Sequence, residues 1–452
     1  MTNLPTPILH IFAMFAPLFS KPVFQNALLL FTGHILCKGR RTIADILRCL
    51  QLKDVKNFSK FHWVLNGAKW NCLAGAKIVF SQLIKLLPLD DEIIINIDST
   101  LERRKGPQIQ GLGCHRDASR STKSKKVLSI GLNWLVCALS IKFPFAKTKW
   151  SLPFLSILMP PKKPLSSCKN AKDLNKKGKY KKMTEWASQV AAVVRSWTGK
   201  FRRITIVADS AFACFKLLYA CNKYSIGLIS RLRLDARLYD FISEDTVQKK
   251  GRKRVVGQVL PKLSVLAKKD IKEWEEVTVQ WYGGLSKKVF IQSGKCLWYY
   301  VGFTPVPIHW VLIKENEEAE AIALFSSDLN HSVVEIIERY VERWPEEVTF
   351  EETRRHLGME TQRQWSDEAI SRTTPIILSS FSIITLMGIE LSRSKNENIP
   401  CQQASWYKKE YVTFSDLLAY VREAILRNSL LDNKGEYRKF DIEAIIMQAA
   451  AA

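Results

Sequence analysis

The chain has few histidines and no cysteine arrangement that would hold a metal. Its 452 residues include 7 histidines and 10 cysteines. No two cysteines form Cys-x-x-Cys, and none has a histidine at zinc-ligand spacing, which excludes a zinc finger or ribbon. Most of the cysteines sit inside apolar runs, so buried free thiols in a reducing compartment are expected. No Gly-rich loop of the kind that cradles a nucleotide is present, which argues against an ATP requirement. Apolar residues 8–20 have no basic segment ahead of them and no small-residue cleavage site, and Pro17 interrupts them, so they do not read as a signal peptide. Neither of two longer apolar stretches reads as a membrane span. Residues 127–145 carry Asn133 and Lys142 and read as two strands, and 375–391, with several serines and Glu390, read as a buried helix. There is no internal repeat.

Acidic residues are also in the minority. Against 43 Asp and Glu stand 68 Lys and Arg, a formal net charge of +25. Such an excess points to a polyanionic partner, nucleic acid above all. The apolar fraction of 47% is ample for a packed core, and the length suggests several domains.

The pattern along the chain changes four times. Residues 1–88 carry apolar positions at three- and four-residue steps, broken by Arg40, Arg41, Lys53, Lys56 and Lys60. They predict short helices with basic turns, suited to binding DNA. Residues 89–230 predict strands followed by alternating helix and strand, hence a mixed sheet with helices on its faces. A lysine-dense loop within this stretch contains Lys162, Lys163, Lys176, Lys177, Lys181 and Lys182. Residues 231–315 read mostly as strands, and Gly283-Gly284 predicts a hairpin. Residues 316–395 turn helical, capped by Ser327 or Asp328, and 396–452 add helices near 415–428 and 442–452.

Three carboxylates stand out against this background. Asp98 ends the run Ile93-Ile94-Ile95-Asn96-Ile97, and Asp209 ends Ile204-Thr205-Ile206-Val207-Ala208. An acid at the tip of a buried strand is costly unless something pairs with it. The third is Glu347. On a helix at about 100° per residue, Arg343, Glu347 and Arg354 all fall within about 60° of Tyr340. A solvated charged face would look the same, and Pro345 either kinks this helix or begins a new one. Two strand-tip aspartates and a helical glutamate are what a pair of divalent ions needs for phosphoryl transfer.

Tyr340-x-x-Arg343-x-x-x-Glu347, with Arg354 seven residues on, resembles the tyrosine–arginine–glutamate–lysine signature of DDE transposases from bacterial insertion sequences. Ile97-Asp98-Ser99-Thr100, Val207-Ala208-Asp209-Ser210-Ala211-Phe212 and His356-Leu357-Gly358-Met359 fit as well, over roughly residues 30–395. Two residues depart from the pattern: an arginine replaces the lysine, and a second acid, Glu346, precedes Glu347. Either Glu346 or Glu347 could then be the ligand, and spacing from Arg343 favours Glu347.

The resemblance implies an α/β fold with an RNase H-like mixed-sheet catalytic core. That core would be split into 89–230 and 316–395 by a β-rich insertion, 231–315, and flanked by helical regions 1–88 and 396–452. It implies two Mg2+ or Mn2+ ions on Asp98, Asp209 and Glu347. Tyr340, Arg343, Arg354 and the loop lysines would grip double-stranded DNA, both the element's terminal inverted repeats and the target. A homodimer on DNA, no membrane, and a cytoplasmic, nucleoid-associated location follow from the same resemblance. Trp344 or Trp365 would stack on an unpaired base or lie in the core, and His115, in the loop after the first strand, would either approach the site or be simply structural or exposed. A metal-dependent nuclease of this fold would carry the same carboxylates without joining strands. A catalytically inactive descendant would bind DNA only.

Overall fold

In the computed structural model the described residues are 4–430, without 123, 163–164, 166–179 and 243–253. Its centre is a sheet whose first five strands run β4-β3-β1-β5-β6. These are β1 (Ile93–Arg103), β3 (Leu128–Ile141), β4 (Trp150–Leu158), β5 (Ile204–Ala208) and β6 (Gly227–Leu232), with β2 (Gly113–Arg116) on the outer edge of β3. The pairs β4–β3 and β3–β1 are antiparallel, and β1–β5 and β5–β6 are parallel. This is the mixed, partly parallel sheet with flanking helices that the resemblance implies.

The β-branched run at the start of β1 suits a strand covered on both faces. The strand does not stop at Asp98. Its parallel ladder with β5 ends at Ile97–Ala208, but its antiparallel ladder with β3 continues to Arg103–Gly131. Gly131 permits this close pairing, since a Cβ there would lie 2.3 Å from the Glu102 carbonyl oxygen. The two strands expected over 127–145 are one strand of 14 residues, because β1 pairs with β3 from Gly131 to Leu139 while β2 and β4 pair with its two ends. Strand β4 contains Pro153, which is tolerated because β4 is an edge strand.

The strands beyond β6 continue the same sheet. They are β7 (Leu238–Tyr239), β8 (Glu275–Gln280), β9 (Ser286–Trp298), β10 (Val306–Lys314) and β11 (Ile322–Ser326). β11 pairs antiparallel with β6, β10 with β11, and β9 with β10. The Gly283-Gly284 turn joins β8 to β9, as its sequence predicts, with both residues at positive φ.

Helices cover both faces. The N-terminal helices are α1 (Thr6–Ala13), α2 (Lys21–Leu36), α3 (Ile43–Cys49), α4 (Ser59–Asn66) and α5 (Cys72–Leu83). After them come α6 (Met183–Thr198), α7 (Phe215–Lys223), the single turn α8 (Leu263–Leu266) and α9 (Val333–Val341). The chain continues through α10 (Pro345–His356), α11 (Asp367–Lys395) and α12 (Phe414–Leu430). Helices α6 and α7 make the crossovers into β5 and β6. Helix α9 lies on the opposite face, its Ile336, Ile337 and Val341 packing on Ile94, Val207 and Ile229. Ser332 caps it in a capping box with Glu335, in place of the expected Ser327 or Asp328. Helix α11 is long and apolar enough to cross a membrane, yet 83% of its apolar window is buried inside the protein. It packs on β4, α1, α5 and α12 as a core helix. The helix expected near 442–452 lies outside the described residues.

Candidate active site

Two strands deliver two acids to one place. Because Ile97 lies beside Ala208, the residues that follow, Asp98 and Asp209, stand on neighbouring backbones about 5 Å apart. The Asp209 carboxylate accepts the Ala211 N–H at 2.9 Å, and its backbone carbonyl accepts the Ser230 hydroxyl at 2.8 Å. Asp98 Oδ1 accepts the Ser99 N–H at 2.7 Å.

The third acid arrives on a separate helix. Pro345 begins α10 afresh, so Tyr340 and Glu347 do not share one regular helix. Arg343 lies in the turn between α9 and α10. Its Nη1 donates to Asp98 Oδ2 at 2.6 Å and its Nη2 to Glu347 Oε1 at 3.3 Å. One guanidinium thus spans the strand acid and the helix acid. The Asp98 and Arg343 side chains are 14% and 12% exposed, whereas Glu347 is 42% exposed.

Glu346 is fully buried beside them, and neither of its carboxyl oxygens has a hydrogen-bond partner among the described residues. Its sequence signal is the acidic doublet, but spacing alone does not tell which member faces the sheet. Burial pushes its carboxyl far above the usual range. Asp98 is the strongest charge adding to this, and Glu347 and Asp209 act in the same direction. Burial likewise raises Asp98 to about 6; Arg343 pulls against this, while Asp209 and Glu347 add to it. Burial opposes the charge on Arg343, but Asp98, Glu346 and Glu347 outweigh it and hold the guanidinium protonated.

The remaining candidate residues divide. Tyr340 lies near Arg343: burial pushes its hydroxyl up to about 12, with Arg343 and Arg231 acting against the rise. Arg231, on β6, and Tyr282 join this corner although no sequence motif marks them. Tyr282 meets Trp344 edge-on at 5.7 Å, and both rings are partly exposed. Arg354 is committed elsewhere, donating to Thr100 Oγ1 at 2.7 Å, the Leu101 carbonyl at 3.1 Å and Glu360 at 3.2 Å. Trp365 is exposed. His115 lies on β2, with β3 between it and β1. Lys162, Lys181 and Lys182 are exposed, and the Lys181 ammonium lies 4.6 Å from the Trp186 ring centre. Lys163, Lys176 and Lys177 lie outside the described residues.

The acids at this site offer only hard oxygen donors, which suit Mg2+ or Mn2+. Among the described residues no three Asp, Glu, His or Cys side chains are gathered closely enough to hold an ion. Arg343 spans the gap between two of the acids. The site is nonetheless short of positive charge. Arg343 is bonded to two of the four acids, Glu346 has no donor among the described residues, and like-charge repulsion helps to raise Asp98. A divalent cation fits that deficit.

A family model described as DDE superfamily endonuclease matches residues 14–288, a span that includes Asp98 and Asp209 and ends before Glu347. No curated protein matches the chain.

Proposed function

Because the chain belongs to the DDE superfamily of endonucleases, we propose that it is a transposase. It would cleave the ends of its own DNA element and join them to target DNA. The family acts on DNA and generally uses divalent metal ions. The observation that carries the reading is Asp98 and Asp209 on adjacent parallel strands, with Glu347 tied to Asp98 through Arg343.

In this reading Asp98, Asp209 and Glu347 hold two Mg2+ or Mn2+ ions. When bound, these supply an activated water and charge stabilisation of the leaving 3′ oxygen. The chain's own residues do the rest. Asp98 gives up any proton it holds. Arg343, released from Asp98 and Glu347, turns to the phosphates beside the scissile bond. The Tyr340 hydroxyl stays neutral at working pH and donates a hydrogen bond to phosphate. Trp344 and Tyr282 offer a partly exposed aromatic surface on which a nucleotide can rest. The freed 3′-OH then attacks the opposite strand to form a hairpin end, which is reopened and joined to target. Lys162, Lys181 and Lys182 contribute non-specific grip on a second stretch of duplex.

The test is strand cleavage and joining by the purified full chain, using DNA that carries the element's ends and Mg2+. Asp98→Ala, Asp209→Ala and Glu347→Ala should each abolish cleavage and leave DNA binding largely intact. Normal cutting by any one of them removes that residue from the site. Cleavage without any joined product would make the protein a nuclease of the same family.

A further inference from the structure

We propose that Glu346 is a metal ligand of this site, so that the first turn of α10 supplies two adjacent carboxylates rather than one. The inference rests on the reading of the site as a metal-dependent nuclease centre.

Three observations carry it. The first is the roll of α10. Its buried residues are Glu346, Thr349, Phe350 and Thr353, a stripe at steps of three, one and three. Thr349 fixes that roll by donating to the Ser151 carbonyl of β4 at 2.8 Å. Glu346 therefore lies on the sheet-facing side of the helix. Glu347 sits about 100° further round, half-exposed.

The second is the missing partner. Both Glu346 oxygens are buried and, among the described residues, unbonded. A fully buried carboxyl without a donor is costly and calls for a partner. An apolar side chain of similar volume would pack the same space without that cost, so simple packing does not account for the acid.

The third is the company it keeps. The Glu346 N–H donates to the carbonyl of Arg343 at 3.0 Å, and the same arginine bonds both Asp98 and Glu347 through its guanidinium. The helix N-terminus also favours negative charge at this position. Asp98 and Glu347 share one arginine, and the Glu346 carboxyl has no hydrogen bond among the described residues, so the three acids lack a shared cation. Arg343 supplies a single positive charge and already spends it on Asp98 and Glu347.

The experiment measures Mn2+ binding to the full chain without DNA, by paramagnetic resonance of the free ion. A parallel melt records the rise in melting temperature on adding Mg2+. Wild type is compared with Glu346→Gln, Glu346→Met and Asp98→Asn. Glu346→Gln should weaken Mn2+ binding at least about tenfold, as Asp98→Asn should. Glu346→Met should melt at or above wild type without metal and lose most of the Mg2+-dependent rise. Wild-type Mn2+ binding in both Glu346 variants, with binding lost in Asp98→Asn, would overturn the proposal and leave the reading beneath it standing. No Mn2+ binding by wild type, or unchanged binding in Asp98→Asn, would overturn both.

Discussion

Strand β1 carries an acid near each end of its parallel ladder, and the two meet opposite fates. Glu92, just before the strand, pairs with Arg339 at 2.7 Å. Asp98 pairs with Arg343 at 2.6 Å. The two arginines are four residues apart, and each also reaches an acid four residues from itself, Arg339 to Glu335 and Arg343 to Glu347. The charge pairs are nearly copies. Their surroundings are not. Glu92 also accepts the Thr205 hydroxyl and lies 3.4 Å from His331 Nε2. Burial alone would raise it, but His331, Thr205 and Arg339 prevail and bring it down to about 2. Among the described residues Asp98 has only Ser99 and Arg343 for partners and three further acids around it, and it rises to about 6. One ion pair is closed and structural. The other leaves negative charge uncompensated, as a centre that takes up external cations requires.

The sharpest way to break this comparison is to remove each arginine. Arg343→Ala should reduce hairpin formation on end-labelled duplex by at least about a hundredfold while some first-strand nicking persists. Nicking needs only an activated water, whereas hairpin closure crowds phosphates together. Without metal the variant should melt early, and Mg2+ should restore most of the loss. Arg339→Ala should also melt early, but Mg2+ should restore none of it. Equal rescue of both variants would show that the two ends do not differ.

Glu92→Gln should cost about 2 kcal/mol of stability at neutral pH, without loss of activity per folded molecule. The sign follows from the depressed carboxyl. Its stabilisation is complete above the ordinary value of about 4.5 and disappears as pH falls through about 2. Urea melts of wild type and variant should therefore converge as the pH drops below about 4.5. A constant difference across that range would mean that the charge of Glu92 is not what stabilises.

The smallest effect is expected at Arg354. Replacing it by lysine keeps the cation and loses the fork that holds Thr100, Leu101 and Glu360 together, at about 1 kcal/mol. Cleavage should stay close to wild type. A large loss of cleavage with normal melting would place Arg354 on the DNA rather than on the fold.

Much of the site is legible in the sequence because its parts are local. A β-branched run ending in aspartate needs only a few consecutive residues to be read, and so does the Tyr340–Arg343–Glu347 spacing. The helices of residues 1–88 and the hairpin at Gly283-Gly284 are legible for the same reason. The continuation of β1 past Asp98 is not, since it depends on β3 pairing as far as Gly131. The attachment of the later strands to β6 is equally non-local, because nothing within β11 marks β6 as its partner.

The sequence by itself determined which acids and cations the protein has, their spacing within each element, and a basic balance suited to a polyanion. Only the tertiary structure decided which of them meet. Pro345 resets the helical phase, so the face shared by Tyr340 and Glu347 on paper is broken between two helices. The roll of α10 against β4 then buries Glu346 and turns Glu347 outward, although the two are neighbours in the chain. Periodicity ranks positions relative to one another along a helix. It does not say which side faces the sheet, because that depends on packing against strands nearly two hundred residues away.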